Sequence, residues 1–534
     1  MLSNDLKSKI NKLWDKFWSR GITNPITAIE QISYLLFLRR IDDADKEAKD
    51  QNKNHKTIFV REKLDENGKP LKGKNGKALM ESADDCRWSN FSALENADEI
   101  LEVVSKKAFP FIKGLNDPNQ PYTRHMRNAT FDINSATLLK EAIDDINSIF
   151  ADIKKQKEEG QQFQDTQGDV YEYLINEIGT SGKNGQFRTP RHIIQFMCEL
   201  IDPDVNDKIC DPACGTGGFL LGAYQHILTK YTKTENITED ENGLNRFKKN
   251  GGEEITDPKI WNTLNSKTFF GFDIDQNMVR IGLMNLMLHG IKIPQIENLD
   301  SLSKEYDTQH KDGEYSIILA NPPFTGRINK GGVSDKLKSY GTQSELLFLI
   351  RISKMLRKGG KAAVIIPEGV LFSGSKNQKA TREVLLKDNN VEAVISLPSG
   401  VFKPYAGVKT SVLIFSKVKE HSTNFSTKRV WFYELKNDGY SLDDNRRKLS
   451  DNPLPTARDI FSEKETGTPT ERLTHFYVSI EEIEENEFDL SYNRYKQFVY
   501  EEQSYAPPKE ILEAIFQLED TIQKEMEELK NMIG

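Results

Sequence analysis

The 534-residue sequence has little of what marks a secreted or membrane protein. Its four cysteines, Cys86, Cys198, Cys210 and Cys214, are too few for a disulfide framework in a chain of this length. No apolar run approaches the ~18 residues that a membrane helix requires, and the charged, amphipathic start differs from a signal peptide. We therefore expect a cytoplasmic protein without membrane contact.

Positive charge is also in short supply. The chain has 73 Lys and Arg against 81 Asp and Glu, a formal net charge of −8. Because Lys and Arg neutralise phosphates, this balance argues against a protein that wraps nucleic acid alone, although it allows a local basic groove or a charged partner. Cys210 and Cys214 have no second Cys or His pair at zinc spacing, so we predict no metal site.

Residues 1–165 are predicted to form a mainly helical domain. The apolar residues at its start recur at helical spacing: Leu6, Ile10, Leu13 and Phe17. Within this domain, residues 51–80 carry eight Lys or Arg against three Asp or Glu, a net charge of +5, and two Asn-Gly pairs typical of hairpin turns. This basic insert is either a solvated loop or a contact for a nucleic-acid backbone or a partner.

Between residues 166 and 425, short apolar segments alternate with helical ones, from KICD and FFGFDID to YSIILA, KAAVIIP, VEAVISLP and SVLIFSK. This alternation predicts an α/β domain with a mostly parallel sheet covered on both faces. The last two segments are joined by a Gly- and Pro-containing loop without a helix, which predicts an antiparallel pair at the end of the sheet. Residues 229–268 are polar and are predicted to be a surface insertion.

Two further segments follow the α/β region. Residues 426–505 are predicted to be a mixed C-terminal extension, and residues 506–534 a single helix. Apolar residues of that helix fall on a and d positions of about three heptads, interrupted by Glu525: Ile511, Ile515, Leu518, Ile522, Leu529 and Met532. Such a stripe either packs on its own domain or docks on a helix of a partner subunit.

The segment KICDPACGTGGFLLGAYQHIL is predicted to be a strand, a glycine loop and a helix. Gly215, Gly217 and Gly218 allow positive φ and a close approach of the backbone to a ligand. Leu220 replaces the third glycine of a dinucleotide fingerprint, and no Lys follows Gly218 as in a phosphate loop. Asp211 would repel pyrophosphate but pair with an ammonium, so a ligand with an amino-acid end fits better. A glycine turn without a ligand is the alternative.

The next strand, FFGFDID, carries Asp273 near its end. An acid at the end of the second strand is where a ribose diol is bound in such sheets. The usual spacing of about 20 residues from the glycine loop is stretched here by the insertion at 229–268. Together with the glycine loop, Asp273 predicts a nucleoside ligand.

The segment YSIILANPPF ends a buried strand abruptly, because proline does not continue a central strand. The side-chain oxygen of Asn321 and the carbonyl of Pro322 are two acceptors. Both prolines hold φ at about −65° and remove competing N–H donors. Two such acceptors suit the hydrogens of an exocyclic amine or an amide. Phe324 offers a face for a planar base, which must leave its duplex to reach the site. A turn without a ligand role is the alternative.

DPACGTGGF followed by NPPF resembles motifs I and IV of the S-adenosylmethionine-dependent amino-methyltransferases that act on N6 of adenine. GQFRTPRHIIQF resembles motif X, placed before motif I as in the γ order, and NLDSL resembles motif III. The leading helical region, GDVYEYLI, LPSGVF…VKTSVLIF and FDLSYNRY are similar to the modification subunits of type I restriction-modification systems. The resemblance covers nearly the whole chain.

This resemblance implies a Rossmann-like S-adenosylmethionine-dependent methyltransferase domain with an N-terminal helical domain and a C-terminal helical tail. Thr189 would cap a helix that begins at Pro190, Asp300 would contact the cofactor adenine, and Arg188 stands where the family usually has an aromatic residue. The implied catalytic residues are Asn321, Pro322, Pro323 and Phe324. The implied cofactor-binding residues are Gln186, Phe187, Arg188, Thr189, Pro190, Arg191, Asp211, Gly215, Thr216, Gly217, Gly218, Asp273 and Asp300.

The resemblance also implies the reaction and the partners. A methyl group would pass from S-adenosylmethionine to N6 of adenine in DNA by direct displacement, without a metal or a covalent intermediate. A specificity subunit would read the DNA sequence, two copies of this chain would join one specificity subunit, and a restriction subunit would complete the complex.

Two other functions remain open from the sequence. A methyltransferase acting on a glutamine side chain or an RNA base shares the logic of the NPPF segment, but would not explain the N-terminal helical domain or the heptad tail. A non-catalytic scaffold could retain the fold. The intact Asp211, Gly217 and Asn321 argue against a scaffold, and cofactor binding would discriminate.

Overall fold

The computed structural model describes residues 4–63, 65, 70–73, 75–115, 117–158, 171, 173, 189–248, 251–324, 326, 328, 331–403, 407–418, 424–497 and 507–533. The predicted cofactor contacts of Gln186, Phe187 and Arg188 lie outside these residues. None of the helices in the described ranges is long and apolar enough to cross a membrane.

The described part of residues 4–158 is mainly helical. Its α-helices are α1 Asn4–Ser19, α2 Pro25–Gln51, α3 Trp88–Phe91, α4 Ala97–Val103, α5 Phe109–Lys113, α6 Pro121–Met126 and α7 Ala136–Glu158. A 3-10 turn, Asp84–Cys86, precedes α3, and a π-helical turn, Val104–Ala108, joins α4 to α5. The start of α2 is set by Asn24, whose side chain accepts hydrogen bonds from the backbone N–H groups of Ile26 and Thr27.

The basic insert contains a short antiparallel hairpin, β1 Val60–Glu62 with β2 Met80–Ser82. The Arg61 guanidinium pairs with Glu81 at 2.8 Å and with Asp85 at 3.0 Å, which ties the hairpin to the helical region. Several large apolar side chains of the insert remain exposed: Ile58, Val60, Leu71, Leu79 and Met80.

The remaining described strands form one hairpin and a large sheet. In chain order they are β3 Ile209–Asp211, β4 Ile237–Glu239, β5 Asn245–Phe247, β6 Phe269–Asp273, β7 Gln295–Asn298, β8 Tyr315–Ala320, β9 Leu356–Pro367, β10 Asn389–Ser396, β11 Thr410–Lys417, β12 Arg429–Glu434 and β13 His475–Ser479. β4 and β5 pair antiparallel within the predicted surface insertion. The other nine described strands have the order β13-β12-β10-β11-β9-β8-β3-β6-β7.

The half of the sheet that carries the glycine loop is parallel. β3 lies between β6 and β8, and β7 and β9 extend the parallel array on either side. Every residue of β3 and of β8 is buried, as expected for strands covered on both faces. Successive residues of β8 alternate between two apolar clusters: Ile317 and Leu319 belong to one, and Ile318 and Ala320 to the other. The predicted α/β architecture is therefore present.

The predicted antiparallel pair is present but does not end the sheet. β10 and β11 pair antiparallel, and β11 also pairs antiparallel with β9. The free edge of β10 is covered by β12 in parallel, and β12 pairs antiparallel with β13. The prediction of a terminal pair is wrong because strands from the C-terminal extension complete the edge, a pairing that the local sequence does not reveal. The domain boundaries stay predictions.

Helices cover both faces of this sheet. The described helices after residue 189 are α8 Arg191–Ile201, α9 Gly218–Lys230, α10 Pro258–Ser266, α11 Gln276–Leu288, α12 Lys304–Gln309, α13 Ser344–Met355, α14 Glu368–Phe372, α15 Lys376–Asp388, α16 Leu454–Ser462, α17 Lys464–Gly467, α18 Ile480–Glu485, α19 Tyr492–Tyr495 and α20 Pro508–Ile533. Two 3-10 turns, Thr234–Asn236 and Lys338–Tyr340, complete the described helical segments.

The N-terminal helices pack on the sheet domain through α11. α2 and α6 both contact α11. The Arg280 guanidinium of α11 pairs with the buried Glu30 carboxylate of α2, and the Tyr34 hydroxyl donates to Glu30 Oε1 at 2.7 Å. Because α11 also supports the glycine loop described below, the helical region braces the helix beneath the candidate site.

The C-terminal helix α20 exposes its apolar residues. The side chains predicted at heptad a and d positions keep between 45% and 85% of their surface exposed, from Ile511 to Met532. The stripe therefore does not pack on the described remainder of the chain, which favours the second alternative, docking on a helix of a partner subunit.

Candidate active site

A cavity of about 620 Å³ opens at the carboxyl ends of four neighbouring parallel strands, β7, β6, β3 and β8. Open α/β sheets bind ligands at this edge, because the loops that leave adjacent strands converge there. Ten of the predicted site residues line it: Thr189, Asp211, Gly215, Thr216, Gly218, Asp273, Asp300, Asn321, Pro322 and Pro323. Four other described site residues are not among its lining residues: Pro190, Arg191, Gly217 and Phe324.

The glycine loop after β3 adopts the backbone that its glycines predicted. Gly215 has φ +50° and Gly217 has φ +78°, conformations that residues with a Cβ rarely adopt. Gly217 precedes the first residue of α9, so the turn directs the loop's backbone toward the cavity. The positive φ values make these two glycines difficult to replace.

Helix α11 holds the glycine loop from outside the cavity. The Asn285 side-chain amide donates to the carbonyl of Thr216 at 2.9 Å. A Cβ added at Gly282 would lie 3.1 Å from the carbonyl oxygen of Gly215, so the loop approaches the helix closely. Gly282 and Asn285 could not be recognised from the sequence, because they lie in an ordinary apolar helix without a motif.

Asp211 ends β3 and is 1% exposed. Its Oδ1 accepts a hydrogen bond from the backbone N–H of Ala213 at 3.0 Å. Burial raises the pKa of Asp211 to about 8, and the neighbouring charge of Asp273 also raises it. A ligand that brings a positive charge would stabilise the ionised form of such a buried carboxyl.

Asp273 ends β6 and lines the cavity, and its carboxylate also accepts hydrogen bonds from the backbone. Its Oδ2 accepts from the backbone N–H of Gly215 at 2.9 Å, and its Oδ1 from that of Asp275 at 2.8 Å. Burial raises the pKa of Asp273. The acid therefore joins the ends of β3 and β6, and its contact with a ribose stays a prediction.

An apolar wall follows Asp273. Ile274 is 76% exposed and lines the cavity, as do Met278 and Leu299. No local feature of the sequence identifies this wall, because the exposure of Ile274 is a property of the fold. Asp300 lies beside it, with its Oδ1 accepting from the backbone N–H of Leu302 at 2.9 Å.

Asn321 lies directly after β8 at the opposite side of the glycine loop from β6. Its Nδ2 donates to Thr189 Oγ1 at 2.9 Å. Its Oδ1 is buried and has no hydrogen-bond partner among the described residues. Buried polar atoms of native proteins are nearly always paired, so an acceptor without a partner on a cavity wall indicates a ligand.

Phe324, the aromatic residue of NPPF, is buried and, unlike the three residues before it, does not line the cavity. Phe324 is 6% exposed, and its ring meets the edge of the Phe402 ring at a centroid distance of 5.7 Å and an interplanar angle of 85°. Phe402 belongs to the LPSGVF segment between β10 and β11. The stacking role of Phe324 stays a prediction.

The start of α8 differs from the predicted one. The helix begins at Arg191, and Pro190 is the residue before it, with φ −56° and ψ 141°. The prediction that Thr189 caps this helix is wrong, because the extended Pro190 moves the helix start by one residue and no side chain caps it. The Thr189 hydroxyl accepts from Asn321 instead.

Comparison with known proteins identifies a family that matches this chain. The N-6 DNA Methylase family matches residues 162–504, which is more than half of the chain. The chain belongs to this family. The HsdM N-terminal domain matches residues 6–146, within the mainly helical region.

Comparisons with individual proteins agree with this family match. The methylase subunit of the type I restriction enzyme EcoEI from Escherichia coli is 30% identical over 422 residues, 78% of this chain and 74% of the relative. A chain solved in work on complex assembly and conformational transition of a type I system is 24% identical, with a TM-score of 0.62, covering 99% of this chain and 98% of that one. A type I methyltransferase subunit from Streptococcus thermophilus is 17% identical, with a TM-score of 0.64, covering 93% and 100%.

Membership of the N-6 DNA methylase family confirms three predictions: the family, the fold class and the class of enzyme, an adenine-specific DNA methyltransferase. The two solved structures contribute the fold alone, since both are less than 25% identical. The roles of individual site residues stay predictions.

Proposed function

We propose that this chain is the modification subunit of a type I restriction-modification complex and that its cavity binds S-adenosylmethionine and one flipped adenine of DNA. The observation that carries the proposal is Asn321 Oδ1, a buried acceptor on the cavity wall without a partner among the described residues. The N6 amine of adenine would supply the missing donor.

The residues that would hold the cofactor lie on both sides of the glycine loop. Asp211 would pair with the ammonium of the methionine end, which fits a buried carboxyl whose pKa is raised to about 8. Asp273 would accept from the ribose hydroxyls, and Asp300 would contact the adenine beside the apolar Ile274. When bound, S-adenosylmethionine supplies an electrophilic methyl group for direct displacement.

The NPPF segment would prepare the amine of the target base. An exocyclic amine is a poor nucleophile because its lone pair is delocalised into the ring. Asn321 Oδ1 and the Pro322 carbonyl would accept hydrogen bonds from its two hydrogens and favour the pyramidal form from which the nitrogen attacks. The proton that the nitrogen releases would pass to solvent, because an amide oxygen is too weak a base to keep it. Preorganised acceptors of this kind cost no reorganisation at the moment of reaction. Phe324 would stack on the base.

The partners proposed for this chain are DNA, a specificity subunit, a second copy of this chain and a restriction subunit. The exposed apolar stripe of α20 supports docking on a helix of the specificity subunit, because an amphipathic helix buries its apolar face against another. The formal net charge of −8 supports a complex in which other subunits contribute much of the DNA contact.

The match of the HsdM N-terminal domain argues against the glutamine and RNA alternatives, which would leave that region without a role. The scaffold alternative is disfavoured by the intact cavity, which is lined by the buried Asp211 and by Asn321, whose Oδ1 is buried. A scaffold that bound no ligand would not need polar groups in this cavity, and an apolar lining would be sufficient.

Substitution of Asn321 by Ala tests the proposal. We expect single-turnover methylation, measured with the specificity subunit present, to fall by about 10² or more, since one preorganised polar group is typically worth about 2.7–4 kcal/mol in a transition state. Cofactor affinity and melting temperature should change little, because the residue follows the strand instead of packing inside it. The exposed Asn119→Ala serves as the matched control.

A wild-type methylation rate in Asn321→Ala would reject the proposed role of Asn321 as an acceptor for the target amine. If Asn321→Ala loses cofactor affinity, stability and activity together, the role of Asn321 is structural. Phe324→Ala should instead weaken capture of the flipped base by about 1–3 kcal/mol, and a mismatched target should partly restore it.

A further inference from the structure

The side chain of Asn321 has only one hydrogen-bond partner among the described residues. That partner is Thr189, which lies 132 positions earlier in the chain and accepts from Asn321 Nδ2 at 2.9 Å. Thr189 is itself buried and lines the same cavity. One edge of the amide is therefore held by the protein, while the other edge carries the acceptor proposed for the substrate.

The orientation of this amide decides what the site offers. The last torsion of an Asn side chain is broad and roughly two-fold, so a carboxamide held by nothing turns with little resistance. With Oδ1 toward the substrate, an amine finds an acceptor. With Nδ2 toward the substrate, the amine would meet a second donor, and no hydrogen bond would form.

The position of Thr189 is fixed by its neighbours. Pro190 is extended and leads directly into α8. In the first turn of that helix, His192 Nε2 lies 2.7 Å from Asp438 Oδ2, and the imidazole packs on the Tyr440 ring at a centroid distance of 4.7 Å. The C-terminal extension thus anchors the helix start that presents Thr189.

We propose that Thr189 is a positioning residue for methyl transfer, whose hydroxyl holds the Asn321 amide with Oδ1 available to the target amine. This inference rests on the proposed role of Asn321. It assigns Thr189 to the base half of the cavity, whereas the family resemblance implied a cofactor contact. Thr189 acts through Asn321 and touches no reacting atom.

A double-mutant cycle tests this assignment. The variants are Thr189→Val, which keeps the shape and removes the hydroxyl, Thr189→Ser, which keeps the hydroxyl, Asn321→Ala, and Thr189→Val combined with Asn321→Ala. Each is assembled with the specificity subunit. Single-turnover methylation, cofactor affinity by calorimetry and the melting temperature are measured for each.

Thr189→Val should slow methylation by about three- to tenfold, the rate equivalent of one neutral hydrogen bond. Cofactor affinity should stay within about twofold. Thr189→Ser should restore the rate to within about twofold of wild type. In the Asn321→Ala background, Thr189→Val should add less than about twofold, because the group through which it acts is gone. These four results together support the assignment.

Other results overturn it. Equal losses in the two backgrounds, or a rate loss matched by lost cofactor affinity, would show that Thr189 acts on something other than Asn321. Failure of Thr189→Ser to restore the rate would have the same meaning. If Thr189→Val also lowers the melting temperature, Thr189→Ala takes its place in the cycle. A wild-type rate for Asn321→Ala alone is distinguishable from all of these, because it removes the proposed function itself.

Discussion

The cavity at the carboxyl edge of the sheet and the C-terminal helix α20 both expose apolar side chains, but in opposite geometries. The cavity is concave and sets two buried polar groups, the Asp211 carboxyl and Asn321 Oδ1, among apolar walls. The helix presents a convex stripe of apolar side chains, and those among residues 511–532 that the structure describes are exposed. Concave sites with few fixed polar groups select small ligands, whereas amphipathic helices select another apolar surface.

This difference predicts that cofactor chemistry and subunit assembly are separable. Residues of the cavity have their partners inside the α/β region, while the apolar residues of α20 have none there. A change in one region should therefore leave the function of the other intact. The following predictions test that separation, beginning with the largest expected effect.

Asp211→Asn should weaken S-adenosylmethionine binding by about a hundredfold, because losing one member of a buried charge pair costs about 2–5 kcal/mol. Asn has nearly the same shape, so the packing of β3 should be retained. Calorimetry on the complex with the specificity subunit measures the affinity. The exposed Asp443→Asn is the matched control, and unchanged affinity in Asp211→Asn would remove this acid from the site.

Leu518→Glu combined with Ile522→Glu should weaken assembly with the specificity subunit by about thirtyfold, since central apolar residues of an interface are worth about 2 kcal/mol or more. Cofactor binding should not change. The control is Gln517→Glu with Gln523→Glu, which adds the same charge to the helix away from the stripe. If sedimentation shows that both pairs of substitutions weaken assembly equally, the added charge and not the lost apolar contact explains the effect. Deletion of residues 509–534 should behave like the stripe variant.

Asp273→Ala should weaken cofactor binding by about tenfold or more, the value of a hydrogen bond to a charged group. It should also lower the melting temperature, because the N–H groups of Gly215 and Asp275 lose their acceptor. Calorimetry and a melting curve separate the two effects. If only the melting temperature falls, Asp273 supports the loop and does not contact the ribose.

Cofactor binding should release a proton below about pH 8. Burial raises the pKa of Asp211 to about 8, so at pH 6.5 the carboxyl is largely protonated and must ionise to pair with an ammonium. Affinity should therefore rise with pH up to about 8. Calorimetry in buffers of different ionisation enthalpy should detect close to one proton released at pH 6.5. Asp211→Asn should release none, and the same release from that variant would assign the proton to another group.

Much of the candidate site could be predicted from local sequence. Gly215 and Gly217 adopt positive φ, which the glycine loop implied. Asp273 and Asn321 lie at strand ends on the same edge of the sheet, because strand–helix alternation produces a parallel array whose carboxyl ends coincide. These inferences succeeded because each depends on the conformational preference of a few adjacent residues.

Other features escaped prediction because they depend on distant contacts. The helix start at Arg191, the exposed Ile274 in the cavity wall and the addition of β12 and β13 to the sheet have no local signature. The two alternatives for α20 were equivalent in the sequence, since a heptad stripe looks the same whether it meets its own domain or a partner. Only its exposure separates them.

The glycine loop, the strand-end acids and the rigid NPPF step follow from local sequence, because backbone preferences and side-chain chemistry are properties of neighbouring residues. How these parts act on one another depends on the folded chain. Asp273 reaches the loop of another strand, and Thr189 holds an amide 132 residues away. Such contacts form only when the sheet assembles, because a hydrogen bond requires its two heavy atoms within about 3 Å, and a separation of many residues along the chain does not fix that distance.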